Sequence, residues 1–219
     1  MPAKIVIINT RAANIHSVAK ALAKVGAHAE VISDPAALAG ADAAVLPGVG
    51  ASDAALRAID AAGLREPVRR FAESGRPLLC VCLGMQVLFD RSDEGSLPGL
   101  GILKGGVKLL PPDMRDGAGN RLKVPHMGWN SVTFTPQGRN HPVFEGIPDG
   151  SYFYFVHSYY CVPAVAEDVA ATASYGAEIC AAVARGNVVG TQFHPEKSGD
   201  IGLQIYRNFV KHAEKAAEK

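Results

Sequence analysis

Apolar and polar positions alternate in blocks along the first 90 residues of the chain. Residues 4–8, "KIVII", form a nearly continuous β-branched run, which is typical of a strand buried on both faces. Asn14, a good N-cap residue, precedes apolar residues spaced three or four apart, which predicts an amphipathic helix ending near Gly26. Similar patterns predict strands at 27–32, 43–47 and 77–81 and helices at about 53–62 and 64–74. This alternation predicts a mostly parallel sheet with helices on both faces.

The second half has shorter apolar segments, and glycine and proline are dense from 95 to 150. The predicted strands are "VKLL", "NSVTF", "SYFYFVHSY", "VAATASY", "ICAAVAR" and "VVGTQF", which we expect to add antiparallel strands to the same sheet. A final amphipathic helix follows, and 111–127 is expected to be a long surface loop. Because no linker or repeat interrupts the pattern, residues 1–219 are expected to form one α/β domain around a single open mixed sheet.

Composition narrows the classes of function. The net charge of +1 over 219 residues gives no bulk attraction for nucleic acid or a membrane surface. No apolar stretch approaches the roughly 20 residues that span a bilayer, and the N-terminus lacks the pattern of a signal peptide. Four cysteines are too few for a disulfide framework in a chain of this length, so we expect reduced thiols and a cytoplasmic protein. No cofactor is expected.

The stretch "LLCVCLGMQVLF" (78–89) places two cysteines where a strand gives way to a helix. Cys82 occupies the turn and Gly84 follows two residues later, as in a nucleophile elbow. The helix N-terminus would favour a thiolate at Cys82, and its N–H groups would stabilise an oxyanion. Cys80 stands where the elbow pattern has glycine, and we expect it to lie inside the strand. From these residues alone, two ordinary buried cysteines remain an equal alternative.

A metal site is also conceivable, because Cys80 and Cys82 form a C-x-C pair. Structural zinc prefers C-x₂₋₄-C pairs with a second pair elsewhere, and the sequence has none. No metal is therefore expected.

A base for the thiol is found in "TQFHPEKS". Pro195 favours an extended backbone at His194, so the side chains of His194 and Glu196 would lie on the same side. The Glu196 carboxylate would then accept a hydrogen bond from the imidazole, which gives nucleophile, base and orienting acid in the chain order Cys, His, Glu. The alternative is a turn with an exposed His and Glu.

A glycine-rich stretch, "LPGVGAS" (46–52), directly follows a predicted strand. In an open α/β sheet such a loop lies at the carboxyl edge, near the expected elbow, where Gly48 and Gly50 let the backbone present N–H groups. An ordinary strand-to-helix turn remains the alternative.

Together "PGVG" (47–50), "VCLGMQ" (81–86) and "FHPEKS" (193–198) resemble, in this order, the class I (triad) glutamine amidotransferases. The resemblance extends over nearly the whole chain and implies a flavodoxin-like fold. It also implies that the enzyme hydrolyses glutamine through a glutamyl thioester. The implied catalytic residues are Cys82 as nucleophile, His194 as acid and base, and Glu196 as its partner.

The same resemblance implies the groups that surround the substrate. The oxyanion would be held by the Leu83 N–H and an N–H of the Val49–Gly50 loop. The amino-acid end of glutamine would be held by Gln86, Glu94 and the backbone around Ser158 and Tyr159. Without the resemblance, Gln86 is equally consistent with a solvated helix residue and Glu94 with a loop charge.

Two further stretches, "VPHMGWN" (124–130) and "YFYFVHSYY" (152–160), resemble the glutaminase subunits of imidazole glycerol phosphate synthase, an enzyme of histidine biosynthesis. That resemblance implies a heterodimer with a (βα)₈ cyclase subunit. The cyclase would receive ammonia through a channel and form imidazole glycerol phosphate and aminoimidazole carboxamide ribotide. The expected partner-facing residues are Met127, Trp129, Asn130 and Lys197.

One departure follows the first strand, where "NTRAANIHSV" lacks the glycines that these subunits tend to have. We expect this difference to affect a loop near the partner and to leave the triad unchanged. We also expect the chain alone to be a poor glutaminase, because the Val49 peptide would be misoriented without the ligand of the barrel.

Two rival functions stay open. The chain could serve another synthase as a class I glutaminase subunit, and "PHMGWN" is the feature that argues against this. It could instead be a non-catalytic binding or regulatory protein on the same type of sheet, which the intact His194–Pro195–Glu196 argues against.

Overall fold

The computed structural model describes residues 2–10 and 14–218. Within this part of the chain the helices are α1 (Ile15–Lys24), α2 (Pro35–Ala39), α3 (Ser52–Ala61), α4 (Arg65–Glu73), α5 (Leu83–Gln86), α6 (Pro136–Asn140) and α7 (Gly199–Ala217). The strands are β1 (Ile5–Ile8), β2 (Ala29–Ile32), β3 (Ala43–Gly48), β4 (Leu78–Cys82), β5 (Arg91–Ser92), β6 (Gly105–Leu109), β7 (His126–Phe134), β8 (Ser151–His157), β9 (Tyr159–Pro163), β10 (Val169–Ser174), β11 (Glu178–Arg185) and β12 (Val188–Thr191).

The main sheet has nine strands in the order β2-β1-β3-β4-β12-β11-β10-β7-β8. The neighbours from β2 to β12 are parallel, whereas those from β12 to β8 are antiparallel. A separate three-stranded sheet, β5-β6-β9, lies beside it. The predicted fold class, an open mixed, mostly parallel sheet with helices on both faces, is confirmed for the main sheet.

Helices cover both faces of the parallel part because its inner strands β1, β3 and β4 are buried on both sides. In β1, Ile5 and Ile7 contact a core that includes residues of α1 and α7. The alternate residues Val6 and Ile8 contact a second core, which includes residues of α2, α3 and α4. Two hydrophobic cores, one on each face, therefore fix the sheet between its helices.

Several details differ from the expectation for the second half. "VKLL" contributes to β6, which belongs to the small sheet, so the prediction that it extends the main sheet is wrong. "VVGTQF" supplies β12, which is antiparallel to β11 but parallel to β4. Its fully buried, continuous apolar pattern is that of a parallel strand, which explains the difference.

The ends of α1 differ in part from the prediction. Asn14 precedes the helix, but its side chain makes no capping hydrogen bond. Gly26 has a positive φ of 85°, which suits the residue that follows a helix C-terminus. Within the sequence that departs from the related subunits, residues 11–13 lie outside the described part of the chain.

The carboxyl ends of β3, β4 and β12 meet at one edge of the main sheet, since these strands are parallel neighbours. The predicted loop at 111–127 is irregular up to Pro125, and His126 already belongs to β7. The motifs singled out in the sequence therefore converge on this edge, the location at which open α/β sheets bind their ligands.

Candidate active site

Cys82 lies at a strained turn between β4 and α5. Its φ of 55° is the only positive φ at a non-glycine position among residues 2–10 and 14–218. The turn fits only because glycines line the contact between α5 and β3. A Cβ on Gly84 would approach the Leu46 carbonyl oxygen to 1.9 Å, and one on Gly48 would approach the Gly84 nitrogen to 2.8 Å. The strain and the close packing are those of a nucleophile elbow.

The remaining cysteines lack this environment. Cys80 is fully buried inside β4, and burial raises the pKa of its thiol. Burial likewise raises the pKa of Cys161 well above its ordinary value and that of Cys180 to about 12. Cys80 packs in the core on the α3 and α4 side, whereas Cys82 contacts the core on the opposite side. The two thiols of the C-x-C pair therefore point apart, and Cys82 alone of the four lines the cavity at the sheet edge.

His194 and Glu196 form the pair that the sequence predicts. The imidazole Nδ1 lies 2.7 Å from Glu196 Oε1, and both side chains are 2% exposed. Burial by itself would lower the pKa of His194, but the Cys82 sulfur and the Glu196 carboxylate raise it to about 10. His194 Nε2 is buried and has no hydrogen-bond partner in the described structure, so it remains available to a ligand.

A cavity of about 350 Å³ opens above Cys82. Most of the predicted site residues line it, while Glu196 lies behind His194 and does not. The lining residues are Val49, Gly50, Cys82, Leu83, Gln86, Glu94, Pro125, Val156, His157, Ser158, Tyr159, His194 and Lys197. The cavity is large enough for one amino acid of the size of glutamine.

Gln86 and Glu94 line the cavity while also bonding to protein groups. Gln86 is buried, and its Nε2 donates to the Tyr159 carbonyl oxygen at 2.9 Å and to Gln192 Oε1 at 3.0 Å. Glu94 Oε2 accepts a hydrogen bond from the Ser52 N–H at 2.8 Å. Gln86 is therefore not the solvated helix residue that the sequence left as its alternative, whereas Glu94 does lie in a loop and bonds there to a backbone N–H.

Sequence reasoning missed Gln192. Its Nε2 donates to the Cys82 sulfur at 3.6 Å. The sequence does carry a signal for Gln192. It stands two residues before His194, and residues two apart in an extended segment lie on the same side. His157, which lines the cavity, was likewise missed.

Comparison with known proteins agrees with this geometry. Residues 6–213 match the model of the family described as glutamine amidotransferase class-I. The chain is 52% identical over 206 residues to the imidazole glycerol phosphate synthase subunit HisH of Syntrophotalea carbinolica, covering 94% of this chain and 98% of that one.

The chain belongs to the class I glutamine amidotransferases, in the group of HisH subunits.

Further comparisons support the family and the fold of this amidotransferase. The HisH subunit of Aromatoleum aromaticum is 49% identical over 212 residues, covering 95% of this chain and 98% of that one. The crystal structure of a putative GMP synthase component from Thermoplasma acidophilum superposes with a TM-score of 0.71. The match covers 100% of this chain and 97% of that one at 19% identity, which shows the shared fold.

The residues expected to face a partner of the amidotransferase do not all share one surface. Met127 and Trp129 are 63% and 56% exposed on one face of the antiparallel pair β7–β8, together with Tyr152. The Lys197 ammonium lies 5.7 Å from the ring centroid of Tyr154, whose ring also contacts Trp129. We call Met127, Trp129, Tyr152, Tyr154 and Lys197 the β7–β8 patch.

Asn130 is the exception. It follows Trp129 in the strand, so its side chain lies on the opposite face, where Nδ2 donates to the Ser174 carbonyl oxygen at 2.8 Å. The expectation that Asn130 shares a surface with Met127 and Trp129 is therefore not met.

Neither a membrane-spanning helix nor a metal cluster is found among the described residues of the amidotransferase. No helix there is both long and apolar enough to cross a membrane. Within those same residues, no three His, Cys, Asp or Glu side chains cluster in a way that would hold a metal ion.

Proposed function

We propose that this chain is the glutaminase subunit of an imidazole glycerol phosphate synthase and that it hydrolyses glutamine at Cys82. The observation that carries the proposal is the strained Cys82 at the floor of the cavity, beside the buried His194–Glu196 pair. The high identity to HisH subunits supports the choice of synthase.

In the first step, glutamine lies in the cavity with its side-chain amide above Cys82. The thiolate attacks the amide carbon, and the carbonyl electron pair moves to oxygen. The Leu83 N–H and an N–H of the Val49–Gly50 loop stabilise that oxyanion, and the positive φ of 88° at Gly50 gives the loop the required freedom. Protonated His194 then donates its proton to the departing nitrogen, the C–N bond breaks, and ammonia and a glutamyl thioester result.

In the second step, the same histidine acts as a base. Thioester formation removes the negative charge of the sulfur, one of the two partners that raise the pKa of His194. The pKa of His194 therefore falls and the neutral imidazole accepts a proton from water, whose oxygen attacks the thioester carbon. The C–S bond breaks, glutamate leaves and Cys82 is regenerated. Glu196 holds the imidazole orientation through both steps.

Gln86, Glu94 and the backbone of Ser158 and Tyr159 hold the amino-acid end of the substrate in this proposal. All four line the cavity with Cys82, which supports their role. Gln86 contributes its carbonyl oxygen, because its Nε2 already donates to two protein acceptors.

The ammonia passes to a cyclase subunit that docks on the β7–β8 patch. Free ammonia would be protonated in water and lose its nucleophilicity, so a direct path to the second site is required. The exposed aromatic side chains of the patch are of the type that anchors protein interfaces. Lys197 of the patch and Val156 of β8 line the cavity, which supports docking next to the site where ammonia would form. The chain acts as one domain in a cytoplasmic heterodimer, and its four free thiols suit that compartment.

An electrophilic glutamine analogue tests the site directly. We expect stoichiometric labelling of Cys82, located by peptide mass spectrometry, because only this thiol lines the cavity beside His194. Cys80, Cys161 and Cys180 serve as internal controls, since their buried thiols have raised pKa values. Labelling that is spread over several cysteines, or that glutamine does not protect against, would point to the non-catalytic alternative.

A further inference from the structure

A continuous chain of hydrogen bonds begins at the nucleophile, follows the cavity wall and ends at His126 and Asn130, which do not line the cavity. Gln192 Nε2 donates to the Cys82 sulfur at 3.6 Å. Gln192 Oε1 accepts from Gln86 Nε2 at 3.0 Å, and the same nitrogen donates to the Tyr159 carbonyl oxygen at 2.9 Å. The two amide side chains therefore connect the sulfur to the backbone of β9.

The chain continues from β9 to β7 through two buried histidines. His157 Nδ1 lies 2.9 Å from the Tyr159 carbonyl oxygen. His157 Nε2 lies 3.0 Å from Nδ1 of His126, its cross-strand neighbour on β7. His126 Nε2 lies 3.4 Å from Asn130 Nδ2, which also donates to the Ser174 carbonyl oxygen.

With both histidines neutral, only one arrangement of protons satisfies the histidine half of the chain. The Tyr159 carbonyl can only accept, so His157 carries its proton on Nδ1 and its Nε2 must accept. His126 therefore carries its proton on Nδ1, and its bare Nε2 accepts from Asn130. Each ring fixes the tautomer of the next one.

The Tyr159 carbonyl also fixes the orientations of the two side-chain amides, those of Gln86 and Gln192. Gln86 must turn its NH₂ group towards Tyr159, which leaves the second N–H for Gln192 Oε1. Gln192 consequently presents N–H, and not its oxygen, to the Cys82 sulfur. In the reversed orientation an amide oxygen would face the thiolate and repel it.

The surroundings keep both histidines neutral and in place. The His126 ring stacks between Tyr175, at 3.9 Å, and Phe155, at 4.8 Å. Burial lowers the pKa of His126 to about 4 and is the main cause that lowers the pKa of His157 to about 3. A proton added to either ring would turn two N–H groups towards each other.

We propose that His126 and His157 are positioning residues for Cys82. They act through Tyr159 and Gln86 to hold Gln192 in the orientation that donates a hydrogen bond to the sulfur. This inference rests on the proposed function, because it assigns the network to the nucleophile of glutamine hydrolysis. His126 does not line the cavity, so its effect on Cys82 is indirect.

The test compares His126→Leu with His126→Asn. Leucine removes the donor to His157, whereas the asparagine amide can replace the Nδ1 donor. With iodoacetamide as probe, we expect His126→Leu to slow alkylation of Cys82 about fivefold, the effect of losing one net hydrogen bond. The same variant should lower kcat for glutamine hydrolysis in the complex with the cyclase and change KM less. His126→Asn should recover most of both rates.

If His126→Leu does not fold, the variant Gln192→Glu tests the bond to Cys82 directly. Gln192→Glu preserves the side-chain shape but replaces the N–H that faces Cys82 with a carboxylate oxygen. We expect alkylation of Cys82 in this variant to slow at least about tenfold, because a charged acceptor replaces a donor.

His141→Leu provides the matched control. His141 is also buried, but its ring bonds to the Gly186 carbonyl oxygen and lies outside the network. The His141→Leu variant should have a lower Tm but alkylate Cys82 at the wild-type rate.

Alkylation of Cys82 at the wild-type rate in His126→Leu or in Gln192→Glu would overturn the proposal. Equal losses of rate in His126→Leu and His126→Asn would overturn it as well. The alkylation rates are measured without glutamine, so they judge the network even if the wild-type complex fails to hydrolyse glutamine, which would refute the proposed function instead.

Discussion

Cys82→Ser is expected to abolish glutamine hydrolysis, with a loss in kcat of at least about 10⁴-fold, as for removal of other triad nucleophiles. The serine hydroxyl is a far weaker acid than a thiol, so the anionic nucleophile that the proposed mechanism requires does not form beside His194. Without it, neither the attack on the amide carbon nor the following proton transfer to the departing nitrogen can proceed. The measurement is glutamate formation by the complex of this chain with a cyclase subunit.

The control for this variant is Cys80→Ser, the same single-atom change two residues earlier in β4. Because Cys80 lies in the core and not in the cavity, we expect lower stability but retained hydrolysis. The Cys82→Ser complex should also still form product when ammonium salt replaces glutamine. Glutaminase activity in Cys82→Ser, or equal losses in both variants, would contradict the assignment of the nucleophile.

Glu196→Gln is expected to lower kcat for glutamine hydrolysis by about 10²- to 10⁴-fold, as when the acid that orients a catalytic histidine is neutralised. The Glu196 carboxylate accepts the bond from His194 Nδ1 and helps to raise the pKa of His194 to about 10. An amide at this position stabilises the imidazolium less and can present either an oxygen or an N–H to the ring. The measurement is kcat and KM for glutamine in the complex.

Stability against pH gives this variant a second readout. The pKa of His194 is raised from its ordinary value of 6.5 to about 10 in the folded chain. Its protonation therefore stabilises the fold fully below about pH 6.5, and this stabilisation is lost as the pH rises through about 10. We expect the free energy of unfolding of Glu196→Gln to lie furthest below wild type near pH 6 and to converge with it above about pH 10.

Glu145→Gln is the matched control, because Glu145 forms an exposed ion pair with Lys211 at 3.5 Å. It should change neither kcat nor the pH dependence of stability, as exposed pairs contribute little. A pH-independent stability difference for Glu196→Gln would contradict a buried ion pair at His194.

The parallel half of the fold was predictable because a strand buried on both faces must be apolar at consecutive positions. β1, β3 and β4 show this in "IVII", "AAVLPG" and "LLCVC". Partner choice among the later strands was not predictable. β6 and β9 pair with each other in a separate sheet, although their local pattern resembles that of strands in the main sheet. Such pairing depends on contacts distant in sequence.

The elbow, the His–Glu pair and the cavity edge were predictable because each is a short segment with its own geometry. Cys82 needs a glycine two positions later, and the alternation of an extended segment aligns His194 with Glu196. The same alternation in β7 predicts that the side chains of Trp129 and Asn130, which are consecutive residues, lie on opposite faces of the sheet. The bond from Gln192 to Cys82 joins residues 110 positions apart, and it arises because β12 lies beside β4.

The measurement that tests the central claim most directly is glutamate formation from glutamine by the purified chain under three conditions. These are the chain alone, the chain with a cyclase subunit, and the chain with both the cyclase and its nucleotide ligand. We expect slow hydrolysis by the chain alone and strong activation only when cyclase and ligand are both present. Hydrolysis that is unchanged by the cyclase and its ligand, whether fast or absent, would contradict the assignment to this synthase.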